Sequence, residues 1–282
     1  MSLGLVLEGG GMRGIYTAGV LDEFMLNGIK VDGLIGVSAG IIHGISYVSE
    51  QYARNARYVV KYRSDSRFMS FKSFFTTGNI CENEFCYDDI PNKLSPVDYD
   101  KFRENVQNGF KVYSVATNLE TGEAEYLEIT DLEKQMDAVR ASASLPIVSR
   151  IVEYDGKKLL DGGSADSIPL KAMQDLGFER NIVVETRPEG YQKKQDKSIP
   201  LMKRIYGKYP EYIETCDMRH IEYNEELLYV ERCVKEGNTF LIRPSRKLKI
   251  SRSEKDIDKI KRMYKLGRFD AQNIMKDLQE WL

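Results

Sequence analysis

Histidine is almost missing from this chain: two residues, His43 and His220, in 282. A serine nucleophile usually takes its base from histidine, so any such triad has only two candidates to draw on. Cysteine is also sparse. Cys81, Cys86, Cys216 and Cys233 show no metal-type CxxC spacing, and reduced intracellular thiols are the expectation. Long apolar runs are lacking, and nothing approaches the roughly 20 residues of a membrane span. The run Leu3–Leu7 is too short, and lacks the charged flank, for a signal peptide. Neither sign of charge dominates: a net charge of -2 gives no support to nucleic acid as the main partner. These absences together point to a cytoplasmic protein that does not cross a membrane, with peripheral contact at an anionic lipid surface left open.

What is there reads as an ordinary soluble chain, 42% hydrophobic and 30% charged, long enough for one large α/β domain or two small ones. "LGLVL" (3–7) is a buried strand, and "GIYTAGVLDEFMLNG" (14–28) a helix with Ile15, Ala18, Leu21 and Met25 at helical spacing. "VDGLIGVS" (31–38) is a second strand, and residues 39–62 are expected to form one long helix. This order predicts a parallel strand pair with a right-handed crossover. Residues 63–100 break the rhythm and carry Phe68, Phe71, Phe74, Phe75 and Phe85 without clean periodicity. Residues 110–130 read as a hairpin turning at Glu120-Thr121-Gly122, and a helix follows from about Asp131. "KKLLDGGSADSIPLKAMQDLG" gives a strand, a glycine turn and a helix, and "NIVVETRP" (181–188) another strand. Beyond it come charged helical segments, the strand "TFLIRPS" (239–245) and a final amphipathic helix.

Three motifs stand at strand ends. "GVSAG" (36–40) fits G-x-S-x-G, the nucleophile elbow, in which a sharp strand-to-helix turn lifts Ser38 while Gly36 and Gly40 leave room for it. "EGGGMRG" (8–14) contains G-x-G-x-x-G, but a dinucleotide site needs an acidic residue ending the next strand, and Ser38 stands there instead. An oxyanion hole fits better. Backbone amides of Gly9, Gly10 and Gly11 can stabilise a tetrahedral acyl intermediate, an effect worth ~3–4 kcal/mol per donor. Arg13 either adds positive field or pairs with a carboxylate. "DGG" (161–163) completes the set on the edge where open α/β sheets place their sites.

The base is the harder assignment. His43 lies five residues after Ser38 on one helix, about 140° around the axis at ~100° per residue, and is expected to pack rather than react. His220 sits in a charged helical run, not in a loop after a strand. A Ser–Asp dyad remains, with burial raising the carboxyl from a reference near 3.9. Spacing alone does not single out Asp161 among so many carboxylates.

"EGGGMRG", "GVSAG" and "DGG", in this order, resemble the patatin-like phospholipases, as does "ASASLPIVS" (141–149) before the aspartate. The likeness covers roughly residues 4–190, with Glu8 where many members carry Asp. It implies a three-layer α/β sandwich on a mainly parallel sheet, and a serine acyl hydrolase that needs no metal or organic cofactor. It also implies Ser38 as nucleophile, Asp161 as base, an oxyanion hole from Gly9, Gly10, Gly11, Arg13 and Gly14, and Gly162 and Gly163 in the DGG motif. The substrate implied is a lipid or other acyl ester. Residues 191–282 match nothing of that pattern and are expected to complete the same domain as a helical extension. The phenylalanine stretch 68–85 is expected either to line an acyl channel or lid, or to be core. Two rival functions stay open: acyl transfer by the same dyad, and a non-hydrolytic nucleotide-binding module built on the glycine loop. Oligomeric state is not legible.

Overall fold

In the computed structural model, which describes residues 2–282, the first strand is hydrophobic on both faces, and that dictates layers on both sides of the sheet. In order the elements are β1 (Leu3–Leu7), α1 (Ile15–Leu26), β2 (Gly33–Val37), α2 (Ala39–Val48), α3 (Arg54–Tyr62) and α4 (Phe71–Thr77). After a wide helical segment at Phe85–Leu94 come α5 (Tyr99–Gln107), β3 (Lys111–Asn118), β4 (Ala124–Glu128), α6 (Met136–Ser142), β5 (Val152–Tyr154) and β6 (Lys157–Asp161). The chain closes with α7 (Leu170–Asp175), β7 (Arg180–Val184), α8 (Ile199–Ile205), α9 (Pro210–Glu236), β8 (Thr239–Ile242) and α10 (Ile257–Trp281).

The strands form one sheet ordered β5-β6-β3-β2-β1-β7-β8, with β4 also on β3. Side chains alternate across it. Leu5, Leu7, Leu34 and Val112 pack with α1, α2 and α10 on one face. Val6, Ile35, Val115 and Val183 pack with α7 and α9 on the other. The result is a three-layer α/β sandwich whose strands β3, β2, β1, β7 and β8 run parallel. The segment "TFLIRPS" supplies β8, which extends the sheet beyond β7. No helix among the described residues is long and apolar enough to cross a membrane.

One expected element divides. Residues 39–62 form two helices because Glu50 (φ 54°) and Ala53 (φ 56°) adopt left-handed backbone between them. The break is held by the Ala53 amide donating to Asp22 and by Asn55 donating back to the His43 carbonyl. Such long-range acceptors compensate for an αL backbone at residues that ordinarily avoid it.

Candidate active site

Ser38 sits between β2 and α2 at φ 54°, ψ -119°. A non-glycine residue in this region costs about 1–3 kcal/mol and persists only where its surroundings enforce it. The enforcement is visible on both sides. A methyl group at Gly36 would lie 2.5 Å from the Ile41 amide nitrogen, and one at Gly40 would lie 2.3 Å from the Leu7 carbonyl oxygen. Only hydrogen at these positions lets the helix start so close to its own strand and to β1. The Ser38 amide donates to Ser142 Oγ at 2.8 Å, tying the turn to the end of α6.

Asp161 reaches the serine by a route the motif order does not reveal. β6 runs antiparallel to β3, not parallel to the other motif-bearing strands. Ala116 and Thr117 of β3 pair with both β4 and β6, while Tyr113 to Val115 pair with both β4 and β2. A strand has two edges, so β2 and β6 share one edge of β3 and meet there end to end. Val37 pairs with Val115 and Asp161 with the next residue, Ala116, which sets the two strand ends head to head. Gly162 makes the junction possible, since a methyl group there would lie 2.1 Å from the Val115 carbonyl oxygen.

The aspartate is firmly held. Its amide donates to the Ser144 carbonyl at 2.8 Å, and its carbonyl accepts from Thr117 Oγ1 at 2.9 Å. Its Oδ1 accepts from the Gly163 amide at 2.9 Å, whereas Oδ2 is buried without a hydrogen bond. Burial raises the carboxyl above its ordinary value; the Arg219 charge and the approaching Ser38 hydroxyl oppose that rise.

The glycine loop lies against both. A methyl group at Gly9 would come within 3.1 Å of Ser38 Cβ. Gly11, at φ +57°, faces the Arg252 carbonyl, which would stand 2.5 Å from a Cβ there. Among the described residues, the amides of Gly9, Gly10 and Gly11 donate to no protein acceptor. Arg13 is buried in the same crevice with its Nε unpartnered. Gly14 does not line that crevice; it lets α1 approach Ala39, whose Cβ would be 2.7 Å from a methyl group. Glu8 anchors the loop, one carboxylate oxygen accepting from the Thr186 amide and hydroxyl and the other from the Tyr223 hydroxyl.

Two cavities meet at Ser38. One is apolar and is walled by Ile42, Ile45, Val59, Phe68, Met69 and Val139. The other is a polar crevice holding Asp161, Gly9, Gly10, Arg13 and three further cations, Lys193, Arg219 and Arg252. Of the five phenylalanines between residues 68 and 85, only Phe68 lines the apolar cavity. Phe85 is core, and Phe71 and Phe75 are 61% and 81% exposed on α4. Neither histidine enters the polar crevice. His43 is buried along the apolar wall, where burial lowers its pKa to about 4, and His220 contacts the Asp217 carbonyl on α9. Ser142 and the cations Lys193, Arg219 and Arg252 were not singled out by sequence reasoning.

The fold and this constellation define an α/β protein with a strained serine elbow, a buried carboxylate and a free-amide glycine loop on one crevice. A family profile described as patatin-like phospholipase matches residues 5–173, and the chain belongs to that family. A second profile, a domain of unknown function (DUF6363), matches residues 209–282. The uncharacterized protein YjjU of Escherichia coli K12 is 30% identical over 188 residues, 66% of this chain and 52% of that protein. Lysophospholipase nte1 of Aspergillus oryzae is 29% identical over 203 residues, 67% of this chain and 12% of that protein. The chain thus spans about half of the first relative and a small part of the second. The crystal structure of VipD from Legionella pneumophila superposes with a TM-score of 0.47 at 14% identity, covering 98% of this chain and 67% of that one.

Proposed function

We propose that this chain hydrolyses acyl esters of lipids through a Ser38–Asp161 dyad. Family membership and the lysophospholipase relatives support the substrate class. The observation that carries the chemistry is the head-to-head meeting of β2 and β6 on one edge of β3.

In this reading the acyl chain lies along the apolar cavity and the ester carbonyl sits over Ser38. Ser38 Oγ attacks the carbonyl carbon as its proton passes to the free Oδ2 of Asp161. The carbonyl oxygen becomes an oxyanion, met by the unengaged amides of Gly9, Gly10 and Gly11, with the Arg13 charge behind them. Collapse breaks the ester C–O bond, and the departing alcohol takes the proton from Asp161. Water then attacks the acyl-serine, gives its proton to Asp161, and releases the fatty acid as Ser38 recovers a proton. Burial suits Asp161 to the task, because a raised carboxyl pKa makes a better base than a free aspartate. Peripheral contact with a lipid surface belongs to the same proposal.

The test is labelling with a fluorophosphonate probe alongside hydrolysis of a fatty-acyl ester. Wild type is expected to label and turn over, and Ser38→Ala to do neither. Labelling that persists in the alanine variant would show that the nucleophile lies elsewhere.

A further inference from the structure

We propose that the groove between β4, α7 and α9 docks an extended, basic segment of a partner protein, which adds as a strand to the free edge of β4. The sheet pairing fixes that edge. β4 pairs with β3 alone, antiparallel, with Thr117 opposite Ala124 and Val115 opposite Tyr126. Flanking bonds run from the Asn118 amide to the Glu123 carbonyl and from the Ile129 amide to the Val112 carbonyl. Bonded and non-bonded pairs alternate along an antiparallel ladder, so Ala124 and Tyr126 turn their amides and carbonyls away from β3. Among the described residues, no protein group meets those amides and carbonyls there. Both residues line the groove. The open stretch ends where Gln135 Nε2 donates to the Glu128 carbonyl and where Thr215 Oγ1 of α9 donates to the Gly122 carbonyl. Proteins ordinarily guard such an edge with lysine, proline or a bulge. The strand "AEYLE" has no lysine or proline, and its register is unbroken.

Charge names the occupant. Glu123, Asp175, Glu214, Glu222 and Glu225 line the same groove, and among the described residues none of their side chains makes an ion pair or a hydrogen bond. Carboxylates on β4 itself are paired, Glu125 with Lys157 and Glu128 with Lys111. Two further carboxylates of the groove are engaged by the protein: Asp166 accepts from the Tyr126 hydroxyl, and Glu226 from the Ser167 and Ile168 amides. Burial, and then the Asp166 charge, raises the Glu226 carboxyl, a sign that negative charge is already in excess there. Lys171 and Arg232 are the only cations lining the groove. In a chain of net charge -2 this is a local concentration, and crowding like charges costs free energy that a cationic ligand recovers.

The open edge and the free carboxylates call for the same ligand. A strand added to β4 sends alternate side chains to one face of the sheet. On the face of α7 and α9 those side chains meet the carboxylates, so lysine or arginine is expected at every second position. Leu176, Met218 and Leu228 line the groove with the carboxylates and are 40%, 41% and 68% exposed, apolar surface on which the aliphatic stems of such side chains can lie. Main-chain bonds then give affinity and the charges give selection, as when an extended peptide completes a sheet. The groove shares no lining residue with the crevice or the apolar cavity at Ser38, so this inference stands apart from the hydrolase reading.

The experiment is fluorescence anisotropy with a short labelled peptide alternating lysine and threonine. Wild type is expected to bind it, and not to bind the counterpart alternating glutamate and threonine. Asp175→Asn, Glu222→Gln and Glu225→Gln together, all at exposed positions, should weaken binding about tenfold. Glu133→Gln with Glu280→Gln, outside the groove, should leave it unchanged. Methylating the amide nitrogen of every second peptide residue keeps the charge, and in one of the two registers it should weaken binding about tenfold or more. Hydrogen exchange at the Ala124 and Tyr126 amides should slow when the peptide is bound. No binding of the lysine peptide, undiminished binding by the triple variant, or undiminished binding of both methylated peptides would overturn the proposal. Self-association of the protein that the triple variant abolishes would give the edge to a second copy and overturn the assignment to a partner protein.

Discussion

Gly40→Ala is the sharpest probe of how the fold holds Ser38. In an ordinary helix the substitution would stabilise, because alanine exceeds glycine in helix propensity by about 1 kcal/mol. Here the new methyl group would lie 2.3 Å from the Leu7 carbonyl oxygen and 2.9 Å from its carbon. A close C···O contact is ~3.3 Å, so α2 or β1 must retreat by about 1 Å. Overpacking of this kind costs about 1–3 kcal/mol, and with rigid backbone on both sides the upper end applies, which outweighs the propensity gain. A displacement of about 1 Å at a reacting group can cost on the order of 100-fold in rate. Gly44→Ala on the same helix is the control. Its methyl group would meet the ends of Leu34 and Leu7 side chains, at 2.9 to 3.2 Å, and those can give. Urea unfolding should show Gly40→Ala destabilised by about 2 kcal/mol and Gly44→Ala near wild type, within about 1 kcal/mol. Fluorophosphonate labelling should slow on the order of 100-fold in Gly40→Ala alone. Equal stability and equal labelling of the two variants would refute the argument that close packing on β1 positions Ser38.

Asp161→Asn separates activity from stability. Turnover should fall about 10³–10⁴-fold, as for loss of a triad carboxylate. Because burial raises the folded-state pKa, the protonated form is favoured in the fold, and stability is lost as pH rises from the unfolded value through the folded one. The neutral asparagine escapes that loss, so its melting temperature at pH 7 should exceed wild type, by a margin that shrinks toward pH 4; a lower melting temperature at pH 7 would contradict this. The acid limb of wild-type kcat/KM should accordingly lie above the ordinary aspartate value. Ile42→Trp, which fills the apolar cavity beside the elbow, should depress palmitoyl relative to butyryl ester turnover by about tenfold or more, while Phe75→Ser on the exposed face of α4 leaves that ratio unchanged. Equal effects on both chain lengths in Ile42→Trp would remove the cavity from acyl recognition.

What could be read in the sequence was whatever depends on neighbours in the chain. "GVSAG" between an apolar strand and an apolar helix specifies a tight turn through its own spacing, and Ser38 adopts that strained backbone. The hairpin at Gly122 and the turn at Gly162 were legible for the same reason. Strand direction was not. Nothing in "KKLLDGG" tells that β6 runs against β3, because direction is set by which edge the chain returns to. The helix break at Glu50 and Ala53 left no glycine or proline to mark it, since distant Asp22 supplies the compensating hydrogen bond. Lys193, Arg219 and Arg252 were indistinguishable from solvated helix and loop charges; only the tertiary fold brings them to one crevice. The phenylalanine stretch 68–85 fitted channel, lid and core equally by composition, and only the fold separates Phe68 on the apolar cavity and Phe85 in the core from Phe75, which faces solvent.

The C-terminal segments also hold the glycine loop in place. α10 crosses α1 at a contact so close that a methyl group at Gly267 would lie 2.1 Å from the Tyr16 carbonyl oxygen, and one at Gly19 2.3 Å from that of Tyr264. Paired glycines let the two backbones touch, and the crossing is locked by Tyr16 donating to Asp270 and Tyr264 to Asp22. Since α1 begins where the glycine loop ends, fixing α1 fixes the loop's exit. Just before α10, the Arg252 carbonyl accepts from the Met12 amide at 2.9 Å and covers Gly11. On the far side Tyr223 of α9 holds Glu8, the residue entering the loop. Both ends of "EGGGMRG" are therefore held from segments beyond residue 209, while its middle amides stay unengaged. An oxyanion site needs that combination, because donors that must reorganise during the reaction return little stabilisation to the transition state.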